Sequence, residues 1–215
     1  MITIGITGIS GSGKTTVTHM LEALGGYTVE ADKLAHMVMR KGQPAYNEIA
    51  AAFGTGILDS KGEINRPALG KLVFKDREKL ARLEDIIHPK VIALTTSLIV
   101  QARETGRYKF AVIDAPLLVE AGMHKNCHSV WLVTANHDIR LARIMARDGI
   151  SKDAAEKRLA SRTGDEAIKP YANTIIENNS ENLDDLRKKA AAALSPLLLD
   201  EGSRYPHSTN QGATQ

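Results

Sequence analysis

Cysteine is nearly absent: Cys127 stands alone in 215 residues. One thiol excludes an intramolecular disulfide framework and any multi-thiolate metal site within the chain, and nothing beside it in sequence looks like a base that would make it a nucleophile. Aromatic residues are scarce as well, at 4%, too few for the stacking platforms of single-strand or RNA binders. Neither sign of charge dominates. Lys and Arg number 28 against 25 Asp and Glu, a net charge of +3 that is too small to argue for a duplex nucleic-acid partner and is compatible with a small anionic substrate. Long apolar runs are missing: Val91 to Val100 is too short and too interrupted to span a bilayer. The N-terminus has no basic segment of the secretory kind and turns Gly-rich at once. What is present, 43% hydrophobic and 25% charged residues, is ordinary for a globular protein. The length suits one generous α/β domain and is too short for two catalytic ones. These features predict a reduced, cytoplasmic protein with no membrane and no nucleic-acid partner.

Strand and helix signals alternate. Ile2, Ile4 and Ile6 form a β-branched run that ends at Gly8. Lys14 to Leu24 has helical periodicity and stops at Gly25-Gly26. Tyr27 to Val29 reads as a second strand, with Asp32 standing where the next helix would take its N-cap. Pro44, Pro67 and Asp76 punctuate a helical block, and Pro89 predicts a break before a long helix to about Glu104. Tyr108 to Ile113, Val130 to Val133 and Thr174 to Glu177 complete five strands. Asp138 to Asp148 is a helix dense in arginine, Ser151 caps a short one, and Leu183 to Leu199 closes the fold. The remaining tail, residues 200–215, is predicted to be disordered. This alternation predicts an α/β fold with a mostly parallel sheet covered on both faces, its ligand beyond the carboxyl ends of the strands.

Gly8-Ile9-Ser10-Gly11-Ser12-Gly13-Lys14-Thr15 is a complete G-x-x-x-x-G-K-T phosphate loop between a strand and a helix. Glycines let successive N–H groups curl toward phosphate oxygens, and the helix start adds its positive end. Lys14 supplies a point charge, and the Thr15 hydroxyl is a ligand for Mg²⁺. Gly8, Gly11, Ser12, Gly13, Lys14, Thr15 and Thr16 are thus candidate contacts for a nucleotide's phosphates, which by themselves do not separate a kinase from a GTPase, an ATPase or a switch. Asp32 reads either as an acceptor-side carboxylate or as a plain helix cap. Asp114, after an apolar strand, reads either as a metal-facing carboxylate or as a turn residue. Arg140, Arg143 and Arg147 share one helix face, and Arg158 and Arg162 share the next. Such stacked cations repel, and a polyphosphate held between the helices would relieve them; a solvated basic face is the alternative for some of the five. His88 and Glu120 are each open between a substrate-side role and a helix-end role.

Taken together, Met1–Thr16, Glu30-Ala31-Asp32, Gly62 to Arg66, Leu83-Glu84 with His88-Pro89, Asp114 to Glu120, Arg143 to Gly149 and Ile175 to Asn179 resemble the dephospho-CoA kinase family, over roughly residues 1–199. The resemblance implies a P-loop kinase fold: a five-stranded parallel sheet flanked by helices, with a helical substrate-binding insertion and a short lid. On that pattern the core is residues 1–40, 106–140 and 172–199, the CoA-binding insertion about 41–105 and the lid about 141–171. It implies ATP-dependent phosphorylation of the ribose 3′-hydroxyl of dephospho-CoA, with ATP and Mg²⁺ required. Lys14, Asp32 and Arg143 carry over as catalytic residues, and Arg147 as a nucleotide contact. Asp32, His88, Asp114, Leu117 and Glu120 carry over to the substrate side. The chain departs from the family pattern at Ile9-Ser10, Arg140, Arg162 and Asn173.

Two other readings compete. Another small nucleoside or nucleotide kinase would not need a helical block as large as Pro44 to Glu104. A nucleotide-dependent switch would have no role for Asp32, and a GTPase-type switch would want an Asn-Lys-x-Asp motif that the chain lacks. The expected partners are small molecules, with the protein a monomer or weak homo-oligomer.

Overall fold

A computed structural model of the chain describes residues 1–160, 164–180 and 182–204. Five strands, β1 (Ile2–Thr7), β2 (Gly26–Glu30), β3 (Phe110–Asp114), β4 (Ser129–Thr134) and β5 (Thr174–Glu177), form one sheet in the order β2-β3-β1-β4-β5, and every pairing is parallel. The helices are α1 (Lys14–Ala23), α2 (Ala31–Val38), α3 (Tyr46–Phe53), α4 (Arg66–Val73), α5 (Arg77–Glu104), α6 (His137–Asp148), α7 (Lys152–Ala160), α8 (Asp165–Ile168) and α9 (Leu183–Arg204).

Period-two alternation in the strands builds two cores. Ile2, Ile4, Ile6, Phe110, Val112, Trp131 and Val133 face α1 and α9, where Val17, Leu21, Leu186, Ala190 and Leu194 cover them. Val29, Ile113 and Val130 face the other way, onto Leu34 and Val38 of α2 and Val91 of α5. Burial on both sides explains why the central strands read as nearly continuous apolar runs. A third, small cluster of Leu141, Ile144 and Ala155 joins α6 to α7 apart from both.

Register decides what meets at the carboxyl rim. Ile6 pairs with Asp114, and Asp114 with Glu30, so the loop after β1, the Asp114 carboxylate and the start of α2 lie side by side. On the other flank Thr134 pairs with Glu177, which delivers Asn178 to the same rim. The chain leaves β1 toward β2 and returns on its other side at β4. That reversal opens the crevice where ligands of such sheets bind.

Several sequence expectations are corrected. Pro89 does not break a helix: α5 is continuous over 28 residues with Pro89 inside it. An internal proline costs about 3 kcal/mol, and apolar residues on both sides of it, Leu83, Ile86 and Ile87 before and Val91, Ile92 and Leu94 after, pack on one core and hold the two halves in line. The Asp76 and Ser151 caps form as expected, through bonds from Glu78 and Lys79 N–H to Asp76 and from Ala154 N–H to Ser151 Oγ. Asn65, unnoticed in sequence, caps α4. The closing helix runs on to Arg204 rather than ending at Leu199. The rest of the tail, residues 205–215, lies outside the described residues.

Candidate active site

The β1-to-α1 loop wraps the floor of a cavity of about 610 Å³ lined by residues 8–15 with Asp32, Pro116, Arg143, Arg147 and Arg158. Its shape depends on glycine. Gly11 and Gly13 have φ of 82° and 89°, in the region that side chains avoid. A Cβ on Gly8 would strike the Val133 carbonyl, and one on Gly13 would strike the side-chain amide of Asn178. That amide is a brace: Asn178 Nδ2 donates to Ser12 O at 2.8 Å, buried. Ser12 Oγ is itself buried without a partner among the described residues, an unsatisfied hydroxyl within a loop built to receive oxygens.

Lys14 opens α1 and pairs with Asp114, and Thr18 Oγ1 donates to the other carboxylate oxygen at 2.9 Å. Asp114 is therefore tied directly to the phosphate loop, which removes the turn-residue alternative. A smaller recess of about 180 Å³ brings Thr15, Asp114, Glu30 and Asp32 to one side of Lys14. The Thr15 hydroxyl beside a carboxylate has the oxygen-donor chemistry that Mg²⁺ prefers, while among the described residues no three acidic, His or Cys side chains gather closely enough to hold a metal by themselves. Thr15 fits the ion as one ligand beside phosphate oxygens.

Asp32 is not a helix cap. β2 stays paired through Glu30, so α2 begins at Ala31 and Asp32 falls in its first turn, with Glu30 at the cap position. The Asp32 carboxylate is exposed, with no hydrogen-bond or ion-pair partner among the described residues. It lines the phosphate cavity, the recess beside Lys14, and a third space: an apolar slot of about 180 Å³ between α2, α5 and the turn after β3, walled by Leu83, Ile87, His88, Leu117 and Met123. The slot shares Leu83, Glu84, Ile87 and Leu117 with a groove of about 800 Å³ running past α4 to Arg66 and Phe74.

The arginines divide. Arg143 Nη1 donates to Gly11 O at 3.4 Å and Asn178 O at 3.2 Å, locking α6 to the loop. Arg147 meets both oxygens of Asp148, at 2.8 and 2.9 Å, and lies 3.5 Å from Ser10 Oγ; Arg158 Nη1 donates to the same carboxylate at 2.7 Å. The bond from Arg147, then the charges of Arg147 and Arg158, hold the Asp148 carboxyl below its ordinary range, and the same bond raises Arg147. Arg140 does not join them: it turns to Asp165, 3.5 Å away, which also accepts from Thr134 Oγ1 at 2.6 Å. Its backbone packs against Gly11 of the loop while its side chain turns to Asp165, so sharing a helix face with Arg143 and Arg147 does not bring it to line the cavity. Arg162 lies outside the described residues.

Of the other sequence candidates, His88 and Leu117 line the slot. Thr16 follows the loop without lining the cavity, and Glu120 is exposed in the turn after β3, away from the four spaces described. Burial pushes the Cys127 thiol up to about 12, which leaves it protonated and unreactive. Sequence reasoning overlooked Asn178 and Asp148. Asn178 belongs to a quoted motif, but nothing local shows that it reaches a loop 166 residues away.

A parallel sheet of this order, with a phosphate loop after β1, a carboxylate paired to its lysine and arginines converging from a helical segment opposite, defines a P-loop kinase. Shikimate kinase from Acinetobacter baumannii shares that fold at 18% identity and a TM-score of 0.51, over 91% of this chain and 94% of that one. The chain belongs to the dephospho-CoA kinase family, whose model matches residues 2–184. It is 38% identical to the dephospho-CoA kinase of Moorella thermoacetica over 197 residues, 92% of each chain, and 40% identical to that of Geobacter sulfurreducens over 82% of this chain and 89% of that one. Among solved structures it resembles TT1252 from Thermus thermophilus (TM-score 0.73, 32% identity, 91% and 97% covered) and dephospho-CoA kinase from Campylobacter jejuni (TM-score 0.66, 26% identity, 93% and 98% covered).

Proposed function

We infer that this protein transfers the γ-phosphoryl group of ATP to the ribose 3′-hydroxyl of dephospho-CoA, giving CoA and ADP. The observation that carries the reading is the position of Asp32, an unpaired carboxylate where the phosphate cavity, the recess beside Lys14 and the apolar slot meet. A hydroxyl presented from the slot reaches Asp32 and the phosphate cavity together, the geometry that in-line transfer requires.

In this reading the loop N–H groups from Gly8 to Thr15 and the start of α1 hold the phosphates, while Arg143 and Arg147 neutralise charge from the opposite wall. Lys14 exchanges Asp114 for a phosphate oxygen, and Asp32 orients the acceptor hydroxyl and takes its proton. The Thr15 hydroxyl would hold Mg²⁺, which would supply positive charge to offset that of the phosphates. Residues 41–105 serve as the acceptor-side insertion, with His88 and Leu117 bordering the acceptor, and residues 141–171 serve as the lid. Among the described residues no helix is long and apolar enough to cross a membrane. A cytoplasmic location and a monomer or weak homo-oligomer complete the reading.

The test is ADP production with ATP, Mg²⁺ and dephospho-CoA, beside AMP and adenosine as competing acceptors, for the wild type and Asp32→Asn. Selective turnover on dephospho-CoA is expected, with kcat reduced about 10²- to 10⁴-fold in the variant and ATP affinity retained. Turnover on AMP or adenosine instead would assign a different kinase. ATP binding without turnover on any acceptor would leave a nucleotide-binding module.

A further inference from the structure

Asp148 ends α6, one residue before Gly149, whose φ of 64° turns the chain toward α7. From this corner its carboxylate reaches arginines on both helices. Arg147 presents its Nε and Nη2 edge to the two oxygens, and Arg158 comes in from α7 onto Oδ2. Both arginines line the phosphate cavity, as does Arg143 one turn before Arg147. Three guanidinium groups around one cavity repel one another, and long side chains under such repulsion splay outward.

We propose that Asp148 is a positioning residue that holds Arg147 and Arg158 together over the phosphate site, so that both meet the triphosphate as one preformed clamp. The proposal rests on the reading of this cavity as the ATP site. A carboxylate here could instead occupy the place of a phosphate and compete with the nucleotide, and the hydrogen-bond geometry separates the two roles. A guanidinium carries five N–H donors. The bidentate contact takes two from Arg147 along one edge, and its Nη2 still reaches toward Ser10 Oγ on the phosphate loop, 3.5 Å away. Asp148 thus grips the outer edge of Arg147 and leaves the inner edge turned toward the loop. It is itself absent from the lining of the cavity. Being partly exposed, the pairs contribute little to folding stability, so their consequence falls on the arrangement of the arginines.

Asp148→Asn keeps the shape and removes the charge. In calorimetric titration with Mg-ATP, without acceptor, the dissociation constant is expected to rise about tenfold, the size of one lost charge-assisted contact. In turnover assays kcat should fall at least as far, while the melting temperature stays put. Asp148→Glu should recover part of the loss. The decisive readout is dependence on the arginines: in an Arg147→Met, Arg158→Met background, Asp148→Asn should change neither ATP affinity nor kcat. Tighter ATP binding at undiminished kcat would show a competitor and overturn the proposal. So would unchanged affinity, or an equal loss in the arginine-free background. Because affinity is read without acceptor, failure to phosphorylate dephospho-CoA would refute the functional reading and leave this test standing.

Discussion

Gly13 shows how tightly single positions are specified at this site. Its φ of 89° is strained for any other residue, and a side chain there would displace the Asn178 amide from Ser12 O. Strain of this kind costs on the order of 1–3 kcal/mol, and the collision adds loss of loop shape. Gly13→Ala is expected to lower the melting temperature by several degrees and to weaken ATP binding at least tenfold. Unchanged values in a thermal melt and a titration would show that the loop adapts. The glycine pattern was legible because the requirement is local: the chain must curl within eight residues between a strand and a helix. Asp32 was not. Its sequence setting fits a cap, and only the pairing of Glu30 with Asp114 pushes the helix start back to Ala31. Arg140, Arg143 and Arg147 look equivalent by spacing, yet Asp165, brought in from α8, draws Arg140 out of the set.

At the scale of elements, α6 and α7 differ from the rest. They join through Leu141, Ile144 and Ala155, a cluster separate from the two large cores, and a segment with so little buried apolar contact opens locally at low cost. Amide hydrogen exchange over residues 141–160 is therefore expected to slow when ATP and dephospho-CoA are both bound. Equal protection with and without substrates would rule out closure of this segment. Helix α5 holds together against a local signal to break. A proline inside a helix removes one hydrogen bond, and from sequence alone that reads as a break. Packing on both sides of Pro89 outweighs the loss, and such packing involves β2 and α2, more than 40 residues earlier in the chain.

At the scale of the whole molecule, the phosphate-loop cavity draws on the loop after β1, α1, α2, α6 and α7, with Asn178 after β5 bracing the loop, so its parts are spread from Gly8 to Asn178. A ligand that binds only this assembled state stabilises the entire fold. At an ATP concentration about one hundred times the dissociation constant the gain is about 2.7 kcal/mol, which corresponds to roughly 5–10 °C for a chain of this size. A thermal melt with Mg-ATP should show that shift, and AMP should give much less. A melt that ATP leaves in place would deny the site its distributed character.

The α/β alternation, the phosphate loop with Lys14 and Thr15, and the family were readable from residue order, because each is encoded in short-range patterns of residue type. The tertiary structure alone decided the order of the strands and the pairing of Lys14 with Asp114. It also placed Asn178 under the loop, put Asp32 where three cavities meet and made Asp148 a link between two arginines. Most of these are contacts between distant segments, set by sheet register and helix packing, that no short window along the chain contains. The Asp148 link spans ten residues to Arg158 and depends on the turn at Gly149 that brings α7 back to α6.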